Sequence, residues 1–330
     1  MTTTSPAVPL GARELTRVPL PDDGVGQVDL SATPPPGRFA EVLTRWGPLR
    51  VHVRETPGPP GAPIAVLLHG LAGSSTNWTD LADVLRGHLR GVAVDLPGFG
   101  WSEPPDGFRF DRHEHAEVLI ALLDRIGEPV HLAGNSYGGA VAAEVAARRP
   151  DLVAGLVLIS PAVPDLRPSP SRISDRRLIA AALPVIGARA RRRLAEVTAR
   201  ERAERLVRLV FAEPEVVPPH RLAEVVEELR EREVLHWAGT ALNRTTSELV
   251  RSWVQPPSLW RSLTRVPAPA LVVWGSEDAV ISARKAPRTA RALPRGRLLV
   301  LPRTGHVAQL ERPRMVARAL LGLVRSGDSW

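Results

Sequence analysis

A serine set between glycines, Gly134-Asn135-Ser136-Tyr137-Gly138-Gly139, carries the clearest chemistry in this chain. A hydroxyl is a weak nucleophile until a base removes its proton, so Ser136 needs a histidine, and the histidine needs an acid to orient it. The run before it, 130–133, is short and apolar, and the run after it, 139–149, has helical patterning. A serine on a direct strand-to-helix turn stands exposed at the edge of a sheet, and the helix N-terminus beside it favours negative charge. Gly134 and Gly138 would support that turn, because a side chain at either position would strike the adjoining strand or helix.

Three histidines lie downstream of the serine: His220, His236 and His306. The first two fall in a helix-patterned stretch. His306 follows the strand-like run 298–301 in Pro302-Arg303-Thr304-Gly305-His306, where a loop side chain can reach the same sheet edge, so it is the expected base. The acid should also follow a strand, and 270–274 runs into Gly275-Ser276-Glu277-Asp278. Asp278 is preferred to Glu277, because a tight turn after glycine suits the shorter side chain and Ala279-Val280-Ile281 returns to apolar packing. The chain order serine, acid, histidine is that of a strand-to-helix nucleophile turn. Upstream, the run 64–69 ends in His69-Gly70-Leu71-Ala72-Gly73. Backbone N–H groups there can face a substrate oxygen, and those of Leu71 and Tyr137 are the expected oxyanion donors. His69 and Gly70 read as supports of this turn.

These residues need a framework, and the hydrophobic pattern supplies one. Short apolar runs at 64–69, 92–96, 130–133, 156–160, 270–274 and 298–301 alternate with helical segments. One helix should start after Asp111, an N-cap with Glu114 three residues on, and stop at Gly127; another should cover 313–325. Such alternation predicts a doubly wound, mostly parallel sheet. Segments 39–46 and 49–54 should form a hairpin turning at Gly47-Pro48. From 161 to 265 the pattern is helical throughout, clearest at 203–211 and 222–230, as in a module inserted over the ligand crevice. The expected organisation is an extended or disordered arm over 1–38, a core over 39–163 and 264–330, and a helical cap over 164–263. Trp78, Trp237 and Trp253, with Trp260, are the aromatic candidates for an apolar substrate pocket, simple packing against the core being the alternative for Trp237, Trp253 and Trp260.

Taken together, these elements resemble the α/β-hydrolase superfamily over about residues 39–324. Asp95-Leu96-Pro97-Gly98-Phe99-Gly100 and Thr304-Gly305-His306 are similar to family turns at the corresponding positions. The resemblance implies an α/β-hydrolase fold with an inserted helical cap. It maps nucleophile, acid, base and oxyanion donors onto Ser136, Asp278, His306 and the backbones of Leu71 and Tyr137. It implies no cofactor. Family members that open epoxides or release halide use aspartate, whose alkyl ester water can cleave, whereas serine would be left as an ether. Serine therefore points to acyl transfer, with an apolar carboxylic ester as the expected substrate. Carbon-carbon hydrolysis of a vinylogous diketone acid is the enzymatic alternative, and a non-catalytic ligand-binding receptor on the same fold is the other.

Composition removes further chemistries. The chain has 330 residues, 44% hydrophobic and 24% charged, as in soluble globular proteins. Without cysteine it has no disulfide, no thiolate metal site and no cysteine nucleophile. No apolar run approaches the roughly 18 residues that span a bilayer, and no signal peptide leads the chain, so a cytoplasmic location is expected. Basic residues exceed acidic by 43 to 35, with Lys285 the single lysine. The excess is local: residues 172–208 hold 11 Arg against 4 acids, and residues 212–233 hold 7 Glu against 3 Arg. The densest cluster, Arg189, Arg191, Arg192 and Arg193, reads as a solvated helix face and as a route to transient contact with an acidic membrane. No aromatic residues interleave it, so no nucleic-acid partner is expected. His113-Glu114-His115 sits on one helical turn where i and i+2 diverge, and Gly24-Val25-Gly26 lacks a third glycine, so neither a metal nor a dinucleotide site is expected.

Overall fold

The computed structural model describes residues 18–21, 24–164, 197–254 and 258–330. Among these, the strands are β1 (Gly37–Thr44), β2 (Gly47–Thr56), β3 (Ile64–Leu68), β4 (Arg90–Val94), β5 (Val130–Asn135), β6 (Val153–Ile159), β7 (Ala270–Gly275) and β8 (Gly296–Leu301). The helices are α1 (Thr79–Leu85), α2 (Arg112–Ile126), α3 (Tyr137–Arg148), α4 (Ala199–Val210), α5 (Pro219–Glu233), α6 (Ala238–Val254), α7 (Ser258–Thr264), α8 (Ala286–Ala292), α9 (Ala308–Glu311) and α10 (Pro313–Ser326). The strands form one sheet in the order β1-β2-β4-β3-β5-β6-β7-β8. β2 runs antiparallel to both β1 and β4, and every other pairing is parallel.

Aliphatic runs without alternation produce the central strands, since both faces are covered by helices. α1 and α10 pack on one face through Leu81, Val84, Val316 and Leu320, and α2, α3, α7 and α8 cover the other through Leu119, Val141, Leu263 and Ala290. α2 has the expected ends: the Asp111 side chain accepts from the Glu114 N–H at 2.9 Å, and Gly127 closes it at φ 80°. α3 is rich in alanine and buried along its length through Ala146, so it lies close against the sheet.

Two details differ from the sequence-based expectation, and Trp260 takes one of the two places that expectation left open for it. The first hairpin turns at Arg45-Trp46, because Thr44 pairs directly with Gly47, whose φ of 97° closes the turn. Trp78 is no pocket residue. It closes a short 3-10 turn ahead of α1, and its ring is fully buried in the layer beneath the sheet with Leu81 and Leu85. Trp260 packs against the core beneath the Arg288 guanidinium, 4.2 Å from the ring centroid.

Residues 24–36 form no helix or strand, yet they are fastened. Val25 is buried with α1, Val18, Leu20 and Val28 pack on the same layer, and Arg318 of α10 holds the carbonyls of Leu20 and Pro21 at 3.0 and 3.1 Å. Farther along, His220 Nε2 donates to the Leu30 carbonyl at 2.7 Å and Arg221 to that of Ala32 at 2.8 Å. This extended segment therefore bridges core helices and the inserted α5. The α4–α5 pair is built by a capping box at Thr198 and Glu201 and by apolar contact among Ala199, Ala203 and Val226. The arginine cluster 189–193 lies outside the described residues.

Candidate active site

Because β3, β5, β7 and β8 are parallel, their C-terminal ends share one edge of the sheet, and each predicted site residue follows one of them. Ser136 joins β5 to α3 at φ 53° and ψ −116°, a conformation that L-residues rarely adopt and that a rigid surround must enforce. That surround is tight. A side chain at Gly138 would overlap the carbonyls of Leu68 and His69, and one at Gly134 would overlap the Gly138 backbone. A Cβ on Gly70 would come within 3.2 Å of the Ser136 Cβ, which places the loop after β3 directly against the serine.

His306 and Asp278 are brought together. His306 Nδ1 lies 2.9 Å from Asp278 Oδ2, with the carboxylate side chain wholly buried. The second carboxylate oxygen accepts from the Val280 and Ile281 N–H groups at 2.8 and 2.9 Å, so both oxygens are engaged and the side chain cannot turn away. A carboxylate at Nδ1 fixes that proton and leaves Nε2 with its lone pair. Glu277, the rival acid, is exposed. Ser136 is linked to this pair through its neighbour: Asn135 Nδ2 donates to the His306 carbonyl at 3.0 Å and to the Ile159 carbonyl at 3.1 Å.

Tyr137 is the first residue of α3, so its N–H precedes the first i to i−4 bond and is left for another acceptor. Its side chain turns inward, where the hydroxyl lies 2.9 Å from His115 Nδ1 and donates to the Phe110 carbonyl at 3.3 Å. His115 is fully enclosed by Phe99, Phe108, Phe110 and Tyr137, and burial pushes its imidazole down to about 4. It is thus a neutral wedge behind the turn. The loop bearing Leu71 is held from two sides. His69 Nδ1 donates to the Gly70 carbonyl at 2.7 Å and Nε2 accepts from the Leu96 N–H at 3.0 Å, with burial keeping this ring below its ordinary range. Asp95 accepts from the Ser75 N–H at 2.6 Å, from the Trp101 N–H at 3.0 Å and from His52 at 2.7 Å. Burial alone would raise the Asp95 carboxyl; the His52 hydrogen bond and its other donors prevail and hold it below the usual range. Across the loop, Arg232 of α5 donates to the Ala72 carbonyl and pairs with Glu228.

Of the remaining aromatic candidates, Trp253 is half-buried with its indole N–H on the Ala162 carbonyl at 3.3 Å, and Trp237 is half-buried with its ring edge against His236. A cavity of about 200 Å³ lies between Tyr137, Ala140, Ala162 and Leu249 on one side and the charged Arg112, Glu248 and Arg251 on the other. His113, Glu114 and His115 diverge: His113 pairs with Glu144, Glu114 with Arg45 and Arg109, and His115 faces the core. Among the described residues, no group of three His, Cys, Asp or Glu side chains is arranged to hold a metal. Neither Asn135 nor Glu311 stands out in the sequence pattern as a support of the site, and Asp95 is visible there only as the first residue of a turn. Glu311 accepts from the Gly305 N–H at 2.6 Å and the Ala212 N–H at 3.0 Å, and burial pushes its carboxyl above the ordinary range against those bonds.

A family model described as alpha/beta hydrolase fold matches residues 63–313. A dihydrolipoyllysine-residue acetyltransferase component of an acetoin cleaving system from Pseudomonas putida is 33% identical over 304 residues, 91% of this chain and 72% of that protein. Haloalkane dehalogenase 2 of Mycobacterium tuberculosis is 30% identical over 82% of this chain and 90% of its own length. Among solved structures, a 2-hydroxy-6-oxo-6-phenylhexa-2,4-dienoate hydrolase from Rhodococcus sp. strain RHA1 superposes with a TM-score of 0.69 at 25% identity, covering 88% of this chain and all of that one.

Proposed function

Since the chain belongs to the α/β-hydrolase family, we propose that it is a serine hydrolase cleaving an apolar carboxylic ester through an acyl-enzyme on Ser136. The observation that carries this reading is the hydrogen-bonded His306–Asp278 pair, tied by Asn135 to a serine held on a strained strand-to-helix turn. In the proposed mechanism Ser136 Oγ attacks the carbonyl carbon while His306 Nε2 accepts its proton. Negative charge on the tetrahedral oxygen faces the N–H groups of Tyr137 and Leu71; one such donor is typically worth about 3 kcal/mol in the transition state. Protonated His306, stabilised by Asp278, then gives the proton to the leaving alkoxide. Water, deprotonated by the same ring, opens the acyl-enzyme and restores the serine. These steps draw on the chain's own residues, and the reading assigns no metal or cofactor to them.

Similarity to a dehalogenase does not extend to its reaction, because alkylation of Ser136 would leave an ether that this machinery does not hydrolyse. The likeness to a dienoate hydrolase supports a second reading, carbon-carbon cleavage of a vinylogous diketone acid. That substrate needs a cation for its carboxylate; Arg232, at the edge of the Leu71 loop, is already shared with Glu228, and Arg112 and Arg251, which line the cavity, are paired with Glu144 and Glu248. The ester reading is preferred on this ground. A fluorophosphonate should label wild-type protein and leave Ser136→Ala unlabelled. Wild-type protein should then turn over short p-nitrophenyl esters faster than a chromogenic dienone acid. The reverse ranking would transfer the assignment to carbon-carbon cleavage, and an unlabelled wild type would favour a ligand-binding receptor.

A further inference from the structure

We infer that Glu311 is a positioning residue for His306 and that it does so by clamping the histidine loop to the inserted cap; this rests on reading His306 as the base. Glu311 closes the short helix α9, and its two carboxylate oxygens serve two different segments. One accepts the Gly305 N–H at 2.6 Å, next to the histidine, and the other accepts the Ala212 N–H at 3.0 Å, just past the C-terminus of α4. Between these bonds the His306 N–H donates to the Val210 carbonyl at 2.7 Å. The two backbones lie flush because residue 305 is glycine: a Cβ there would overlap the Val210 carbonyl and come within 2.7 Å of the Ala212 nitrogen. A carboxylate gives each of the two N–H donors an oxygen of its own, whereas in the same orientation an amide would set its N–H₂ against one of them.

His306 is therefore located by three independent supports: Asp278 at the ring, Asn135 at the carbonyl and the Glu311 seam at the N–H side. The first two come from the core, and the third is the only one of these that reaches the cap. Removing it strands two N–H groups and leaves the His306–Val210 bond as the remaining backbone hydrogen bond between residues 305–306 and residues 210–212. Ring displacement of this kind acts on proton transfer rather than on substrate binding, and a misplacement of about 1 Å costs about 100-fold in rate. Arg312, adjacent in sequence, is already engaged by Glu213 at 2.9 Å and by the Arg303 carbonyl at 3.0 Å, so it does not substitute for the clamp.

The test compares wild type, Glu311→Ala, Glu311→Gln and Glu213→Gln. Glu213 lies on the same seam without reaching Gly305 or His306, and its variant controls for general loosening. Expected in Glu311→Ala is a kcat about 10- to 100-fold lower with KM nearly unchanged, a matching loss in fluorophosphonate labelling rate, and a shifted or broadened low-field proton resonance for His306 Nδ1–H. Glu311→Gln should lie between it and wild type, and also keeps the question answerable if the alanine variant does not fold. Glu213→Gln should behave as wild type in all three measurements. The inference is overturned if folded Glu311 variants lose only thermal stability, if KM rather than kcat moves, or if the Nδ1–H resonance stays in place. Wild-type protein that fails to label would remove the hydrolase reading instead, and the resonance would still decide whether Glu311 sets the ring.

Discussion

At Ser136 three local requirements meet in one backbone conformation: a φ of 53°, a neighbour whose side chain grips the histidine loop, and flanking positions that admit only glycine. The first and third of these are legible in the sequence, because glycines on both sides of a serine, between a strand run and a helix run, serve a tight turn and little else. The partner of Asn135 was not legible, since a side chain reaching 171 positions along the chain leaves no local pattern. Asp278 could be preferred to Glu277 on side-chain length alone, and the structure gives the physical reason: a short carboxylate is held by two N–H groups of its own turn while it meets the imidazole. An amide at this place should donate toward Nδ1 and reverse the tautomer. Asp278→Asn is accordingly expected to lower kcat by about 10⁴-fold with little change in KM, as read from steady-state ester hydrolysis; a loss below about tenfold would detach Asp278 from the base.

Among the elements, the parallel strands and α2, α3 and α10 were legible because continuous aliphatic runs and capping residues are local signals. α1 and α8 were not read, being only two turns long and bounded by no strong cap. What binds helices to each other is equally hidden. Glu144 of α3 receives Arg112 at 3.2 Å and His113 at 2.8 Å from α2, and Ser262 of α7 at 2.8 Å. Burial would raise this carboxyl, yet the His113 and Ser262 hydrogen bonds and the nearby positive charges bring it down to about 2, from 4.5 when unperturbed. A carboxyl lowered in the folded state contributes stability that is complete above its unfolded value and fades as pH falls from about 4.5 toward 2. Glu144→Gln leaves the buried Arg112 without its counter-charge and should cost about 3 kcal/mol at neutral pH. Urea midpoints across this range should show the gap between variant and wild type narrowing as the medium becomes acidic; a constant gap would mean the cluster is held by packing alone.

Over the whole molecule, the proline-rich N-terminal stretch was expected to be extended or disordered, and its described residues 24–36 form neither helix nor strand but are attached. Pattern could not show that attachment, because it depends on backbone carbonyls that accept hydrogen bonds from Arg318, His220 and Arg221 of remote helices. Arg221 also pairs with Asp80 of α1, so a single side chain joins the arm, the inserted helices and the core. Deleting residues 1–36 should lower stability by about 2 kcal/mol, given the few aliphatic side chains it withdraws from the α1 and α10 layer. It should also speed proteolytic cutting within α5, and unchanged urea midpoint and cleavage rate would refute the fastening role. No described helix is long and apolar enough to cross a membrane. The joint between residues 210–212 and 305–306 has one more consequence, for traffic into the crevice. Hydrogen bonds close that edge of the crevice, so on the proposed hydrolase reading substrate is expected to enter from the opposite side, toward α6 and the half-buried Trp253.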